Sequence, residues 1–148
     1  MTATDRVRVV LDANVFVSGA IRAGASARLV EQWLKSAAFD VVACPELIEE
    51  VRDVLTNRQR LRRWIDLDRA IDYVATIEAT VTLFDDPFEV VEETRDPGDD
   101  YLIALALASS AMWIVTGDKD LLEWTGQHPP TLAPAAFEAW LKEQAHAV

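Results

Sequence analysis

The sequence predicts an α/β protein with three layers, α/β/α, around a central and mainly parallel sheet. Three observations predict it. Short β-branched runs alternate along the chain with segments of helical apolar spacing, the order expected of strands joined by crossover helices. The runs are almost wholly apolar, as strands buried on both faces are. Acidic residues stand where these runs end or where helices begin, and an open parallel sheet binds its ligands outside the carboxyl ends of its strands.

Each element follows in order. VRVVL at 7–11 is a short strand. The turn DANVFVSGA leads toward a helix over 23–38, in which Leu29, Val30, Trp33 and Leu34 share a face and Ser26 is the expected N-cap. DVVAC at 40–44 is the second strand. Pro45 opens a helix from its first turn, with Leu47, Ile48, Val51, Val54 and Leu55 on the apolar side. NRQRLRRW links it to a helix over 66–79 carrying Leu67, Ile71, Val74 and Ile77. TVTLF at 80–84 is the third strand, and the acidic, turn-rich DDPFEVVEETRDPGDD leads into the strongly apolar helix YLIALALASSA. MWIVT at 112–116 is the fourth strand, left through Gly117 in what reads as a tight exit. A helical turn in DKDLLEW, a brief strand near Thr131 and Leu132, and a helix in AAFEAWLKEQAHA close the chain. No repeat or low-complexity tract divides it, so residues 1–148 are expected to form one domain with right-handed crossovers.

Composition narrows the function classes. Half of the 148 residues are hydrophobic (51%), enough for a core without staples. No apolar run approaches the roughly 18 residues a membrane span needs, and the start does not read as a signal peptide, so a cytoplasmic protein with no membrane contact is expected. The single cysteine, Cys44, has no disulfide or thiolate partner and is expected to be a small buried residue. The net charge of −11, from 14 basic and 25 acidic residues, argues against a nonspecific nucleic-acid binder. It does not exclude a nuclease whose acids surround metal ions.

Four acids carry the chemistry: Asp12 after the first strand, Glu50 on the second helix, Asp100 at the start of the apolar helix and Asp118 after the fourth strand. Carboxylates meeting at one sheet edge repel, and hard divalent cations such as Mg²⁺ resolve that repulsion through oxygen ligands. The chemistry this suggests is metal-assisted phosphodiester hydrolysis. Each acid also has a plainer explanation. Asp12 and Asn14 can shape a turn, Asp118 and Asp120 can cap one, and Glu49 or Glu50 can face solvent. Asp99 is expected to cap the apolar helix and Asp100 to project from its first turn; Glu50 is favoured over Glu49 as the inward acid. Thr116 can offer a hydroxyl to the site. His128 and His146 lie in a loop and near the C-terminus and suggest no zinc site. Arg58, Arg60, Arg62 and Arg63 form a basic cluster, suited to phosphate contacts or to pairing with the many acids, and Trp64 beside them can stack on a base.

LDANVFVSGAI, PELIEEVRDVL and DPGDDYLIALALASSAMWIVTGDKDLL together resemble a PIN domain, from about Val7 to about Leu141. More narrowly, they resemble the bacterial PIN proteins of toxin–antitoxin systems, related to the VapC-like toxins. The resemblance implies a Mg²⁺- or Mn²⁺-dependent ribonuclease that leaves 5′-phosphate and 3′-hydroxyl ends. It implies Asp12, Glu50, Asp100 and Asp118 as the catalytic acids, with Asp12, Asp100 and Asp118 holding the metal. Asn14, Thr116 and Asp120 are accessories in the same pattern. The implied partners are an RNA substrate and a cognate antitoxin protein, and a second copy of the chain is a further option. The rival readings are a phosphotransfer domain, a catalytically silent interaction module and a housekeeping RNA-processing nuclease. A dehalogenase-type phosphatase would need an acid where Asn14 stands, and a phospho-receiver would need its lysine elsewhere than between Asp118 and Asp120.

Overall fold

The computed structural model describes residues 6–91, 94 and 97–146. Five strands, β1 (Arg8–Leu11), β2 (Asp40–Ala43), β3 (Thr82–Leu83), β4 (Trp113–Val115) and β5 (Thr131–Leu132), form one sheet in the order β3-β2-β1-β4-β5. Every pairing is parallel, so all five carboxyl ends lie along the same edge. Among the described residues seven helices flank it: α1 (Ala13–Ile21), α2 (Ala25–Ser36), α3 (Pro45–Asn57), α4 (Leu67–Thr80), α5 (Pro97–Ser109), α6 (Lys119–Leu122) and α7 (Pro134–His146). A 3₁₀ turn, Gln59–Arg63, joins α3 to α4.

The chain steps from β1 through β2 to β3 in one direction across the sheet, then returns past β1 to β4 and β5. Right-handed crossovers therefore send α1–α4 to one face and α5 and α6 to the other, which makes the three layers. The central strands explain the apolar runs: Val9, Val10, Leu11, Val41, Val42 and Ala43 are fully buried, covered above and below. α5 packs against β1, β2 and β4, which is why its sequence is apolar on nearly every side. α7 returns to α2, tied by an Arg28–Glu138 ion pair (2.7 Å), and its Phe137 meets Phe39, just before β2, edge to face (5.2 Å).

The amino end of the sheet is closed by a charge pair. Arg8 Nε donates to Asp40 Oδ2 at 2.9 Å, and the Thr82 hydroxyl donates to Asp40 Oδ1 at 2.6 Å. The Arg8 guanidinium also reaches the Ser109 carbonyl at the end of α5 (2.9 Å).

Several expectations change. DANVFVSGA is not a plain turn but contains α1, capped by Asp12 and anchored by buried Val15 and Phe16. Its valines and Gly19 are weak helix formers, so packing rather than propensity makes it helical. Gly19 fits a close approach, since a Cβ there would stand 3.1 Å from Val30 and 3.2 Å from the Tyr73 hydroxyl. Ser26 is not the cap of α2. Gly24 holds that position with a φ of 151°, a conformation glycine adopts readily, and Ser26 lies inside the first turn. Asp99 is not a cap either: α5 begins at Pro97, which places Asp99 and Asp100 both within its first turn. Gly117 has no positive φ, and a Cβ there would meet open space, so the exit from β4 does not depend on glycine. The third strand shortens to two residues at the sheet edge. Within the acidic segment 85–100, positions 92, 93, 95 and 96 lie outside the described residues.

Candidate active site

The strand order reverses beside β1, and the site lies there, where two crossovers diverge and leave a crevice. Register does the first part of the construction. Leu11 pairs with Val115, so the next residue on each strand, Asp12 and Thr116, leaves the sheet beside the other. The buried Thr116 hydroxyl donates to Asp12 Oδ2 at 2.7 Å, and Thr116 Oγ1 in turn accepts the Asp118 N–H at 3.0 Å. Asp118 then caps α6, its Oδ1 accepting the Asp120 N–H at 2.9 Å. One hydroxyl thus fixes the first acid and the loop that carries two others.

Asp12 is only 4% exposed. Burial pushes its carboxyl above the ordinary 3.8, the Thr116 and Asn14 hydrogen bonds pull it back, and the charges of Glu50 and Asp118 push it up again. Its Oδ1 accepts a long bond from the Asn14 N–H (3.4 Å), while the Asn14 side chain stands exposed at the mouth of the cleft.

α5 contributes the third wall. Asp99 is buried, and one carboxylate oxygen from each of Asp99, Asp118 and Asp120 lies within 4.8 Å of the others. Asp100, expected to project into the site, does not line this cleft. Its Oδ1 accepts from the Thr94 N–H (2.9 Å) and hydroxyl (2.8 Å), and it lines a separate depression with Ile103 and Leu107. Adjacent residues on a helix point about 100° apart, so only one of this pair can face the crevice. Because α5 is apolar on nearly all sides, its sequence holds no stripe from which to choose between them.

α3 brings Glu50 to the cleft, where the Tyr101 hydroxyl donates to Glu50 Oε2 at 2.9 Å. Glu49 points elsewhere and pairs with Arg52, which also holds Glu78 at 2.9 Å. Tyr101 was not anticipated. Burial first, and then the charge of Glu50, hold its phenol far above the usual range, so it remains a donor. The signal was present in DDYLIALA, where a hydroxyl on a wholly apolar helix needs a partner.

The arginine cluster divides. Arg58 and Arg60 line the cleft with Trp64. Arg62 turns inward and donates to the Leu55 carbonyl, satisfying the last turn of α3. Arg63 lies over the Trp64 ring at 5.0 Å. His128 and His146 are exposed and do not line the cleft. Burial pushes the Cys44 thiol up to about 12, which excludes a thiolate at neutral pH.

The cleft has a volume of about 560 Å³ and opens over Asp12, Glu50, Asp99 and Asp118. Among the described residues no salt bridge reaches Asp12, Glu50 or Asp118. The donor set is all carboxylate oxygen, beside an Asp12 raised by burial and then by its neighbours' charges, and it fits a hard divalent cation.

A parallel α/β/α sheet with a carboxylate cluster at its switch point is a scaffold for hydrolytic phosphate chemistry. Comparison with known proteins makes the assignment specific: residues 8–120 match the model of the PIN domain, and the chain belongs to that family. PIN domains are in general nucleases, typically with divalent metals, and the clustered aspartates fit that class. Among solved structures, PAE2754 from Pyrobaculum aerophilum is similar over 93% of this chain and 90% of its own, with a TM-score of 0.66 and 19% identity. VapBC2 from Rickettsia felis, solved bound to a DNA fragment from its promoter, is similar over 80% of this chain and 94% of the matched chain (TM-score 0.55, 9% identity). At these identities the likeness is one of fold. No curated protein matches the chain. Among the described residues no helix is long and apolar enough to cross a membrane.

Proposed function

We propose that the chain is a Mg²⁺- or Mn²⁺-dependent ribonuclease and the toxin of a toxin–antitoxin pair. The observation that carries this reading is the convergence of Asp99, Asp118 and Asp120 within 4.8 Å, beside an Asp12 whose carboxyl is raised first by burial and then by the charges of Glu50 and Asp118. Asp12, Asp99 and Asp118 hold the cation, with Asp120 as a further ligand. The cation supplies Lewis acidity, withdrawing electron density from the phosphate and easing deprotonation of a water. Thr116 keeps the Asp12 carboxylate oriented toward the cleft through its 2.7 Å bond. Glu50, fixed through Oε2 by Tyr101, accepts the proton of the attacking water at its other oxygen. Attack in line with the scissile bond expels the 3′ oxygen, which takes a proton from solvent to become a 3′-hydroxyl, and leaves a 5′-phosphate; no covalent bond to the protein forms. The toxin role rests on the fold shared with VapBC2, and the expected partner is a small antitoxin protein that silences the cleft.

The test is a titration of the purified chain with Mn²⁺ and Mg²⁺, following both melting temperature and cleavage of RNA. Cation-dependent stabilisation and cleavage, both lost in Asp118→Asn, are expected. A chain indifferent to millimolar cation, or equal cleavage by the Asp118→Asn variant, overturns the reading.

A further inference from the structure

The cleft is acidic, yet its substrate would be a polyanion, and something must hold RNA against that field. One segment of the rim has the opposite character. Residues 58–63 hold four of the chain's 14 basic residues, with no acid among them, in a protein of net charge −11. The structure gives these four arginines different work: Arg62 caps α3 from the inside, whereas Arg58 and Arg60 are exposed and line the cleft. Trp64 follows directly. It is 55% exposed, an unusual position for the largest apolar side chain, and it lines the same cleft as Asp12 and Glu50. The Arg63 guanidinium lies 5.0 Å from the ring centroid, a cation–π contact that orients the indole.

We propose that this rim is a recognition site for single-stranded RNA: Trp64 is a stacking platform for one base, and Arg58 and Arg60 grip phosphates beside the scissile bond. The assignment rests on the ribonuclease reading and names the residues that position its substrate. An exposed ring flanked by arginines matches the way single strands are held, because every unpaired base offers a π-face and guanidinium groups track the backbone. In a duplex the bases are stacked on one another and present no face to the indole. A purely apolar docking surface for a protein would not need the two exposed arginines at the mouth of an acidic cleft. Trp64, Arg58 and Arg60 are positioning residues: they set where the strand lies and leave the reacting atoms to the carboxylates.

The experiment measures steady-state cleavage of a short labelled RNA, single-stranded and annealed to its complement, by the full chain and its variants. Trp64→Ala is expected to raise KM for the single strand about tenfold, with kcat changed less than about twofold. Trp64→Phe, which keeps a ring, should restore most of the loss. Arg58→Ala with Arg60→Ala should also raise KM and should flatten the dependence of log KM on log salt by about 1.4, roughly 0.7 for each phosphate contact. The Mn²⁺-induced rise in melting temperature should be the same in all these variants, since none holds the cation. Unchanged KM in Trp64→Ala, or equal cleavage of the duplex, overturns the assignment while the nuclease stands. A wild-type chain that cleaves no RNA overturns both, and that failure is seen before any variant is made.

Discussion

The two ends of the sheet treat a carboxylate in opposite ways. At the amino end, Asp40 receives the Arg8 guanidinium at 2.9 Å and the Thr82 hydroxyl at 2.6 Å, so its charge is answered within the chain. At the carboxyl end, Asp12 is more deeply buried and, among the described residues, receives hydroxyl and amide hydrogen bonds but no cationic side chain, while Glu50 and Asp118 add like charge. An acid that serves the fold brings its own counter-charge. Acids that serve a site are held in repulsion by the surrounding fold and take their counter-charge from a ligand.

The sharpest way to break this comparison is to exchange neighbours on α5. Asp99→Asn is expected to lower cleavage on the order of 10³-fold, a loss of several kcal/mol of transition-state stabilisation. Asp100→Asn, whose Oδ1 can still accept from Thr94, should stay within about threefold of wild type. Cleavage rates under identical cation would settle it, and a reversed order would return the site to Asp100.

Next in size is a gain in stability. Asp12 binds its proton more tightly in the folded chain than in the unfolded one. Its contribution is therefore most favourable below the unfolded value near 3.8 and is lost as pH rises toward and through the higher folded value. Without divalent cation at neutral pH, Asp12→Asn should raise the melting temperature by a few degrees, and the gain should vanish in acid. Melting curves across pH measure this directly; a variant less stable than wild type at pH 7 would mean the charge is already compensated.

Asp40→Asn should show the reverse. It removes a half-screened ion pair, costs about 1 kcal/mol and leaves cleavage untouched, which denaturant titration and a rate measurement would check. Tyr101→Phe should have a modest effect. It frees Glu50 Oε2 without moving any ligand, so the rate should fall about fivefold with the cation-induced melting shift unchanged; an altered shift would place Glu50 among the metal ligands.

The sequence revealed one end of the sheet better than the helices above it. Buried parallel strands write themselves as short apolar runs, so β1, β2 and β4 were legible, and so were the residues that leave their carboxyl ends: Asp12, Thr116 and Asp118. Strand register then brings two of them together without further information. Helical phase was harder. α3 is amphipathic, and its stripe of Leu47, Ile48, Val51 and Leu55 leaves Glu50 on a flank, where it could be chosen over Glu49. α5 has no polar face to set its phase, so Asp100 was chosen over Asp99; with the helix starting at Pro97 both lie in the first turn, and it is Asp99 that lines the cleft. α1 was missed because Val15, Val17 and Gly19 argue against helix locally, and only burial of Val15 and Phe16 against the core overrules them. The split within the arginine cluster depends on the Leu55 carbonyl that α3 leaves for Arg62, and chain composition carries no trace of it.

Cys44 has a practical use. The chain's only sulfhydryl is sealed in the interior and stays protonated far above neutrality, so electrophilic dyes should ignore it in the native state. A thiol placed on the surface by substitution, for instance Gln59→Cys, would then be the one reactive handle. Fluorophores or spin labels could be attached at the cleft mouth without first engineering away a background.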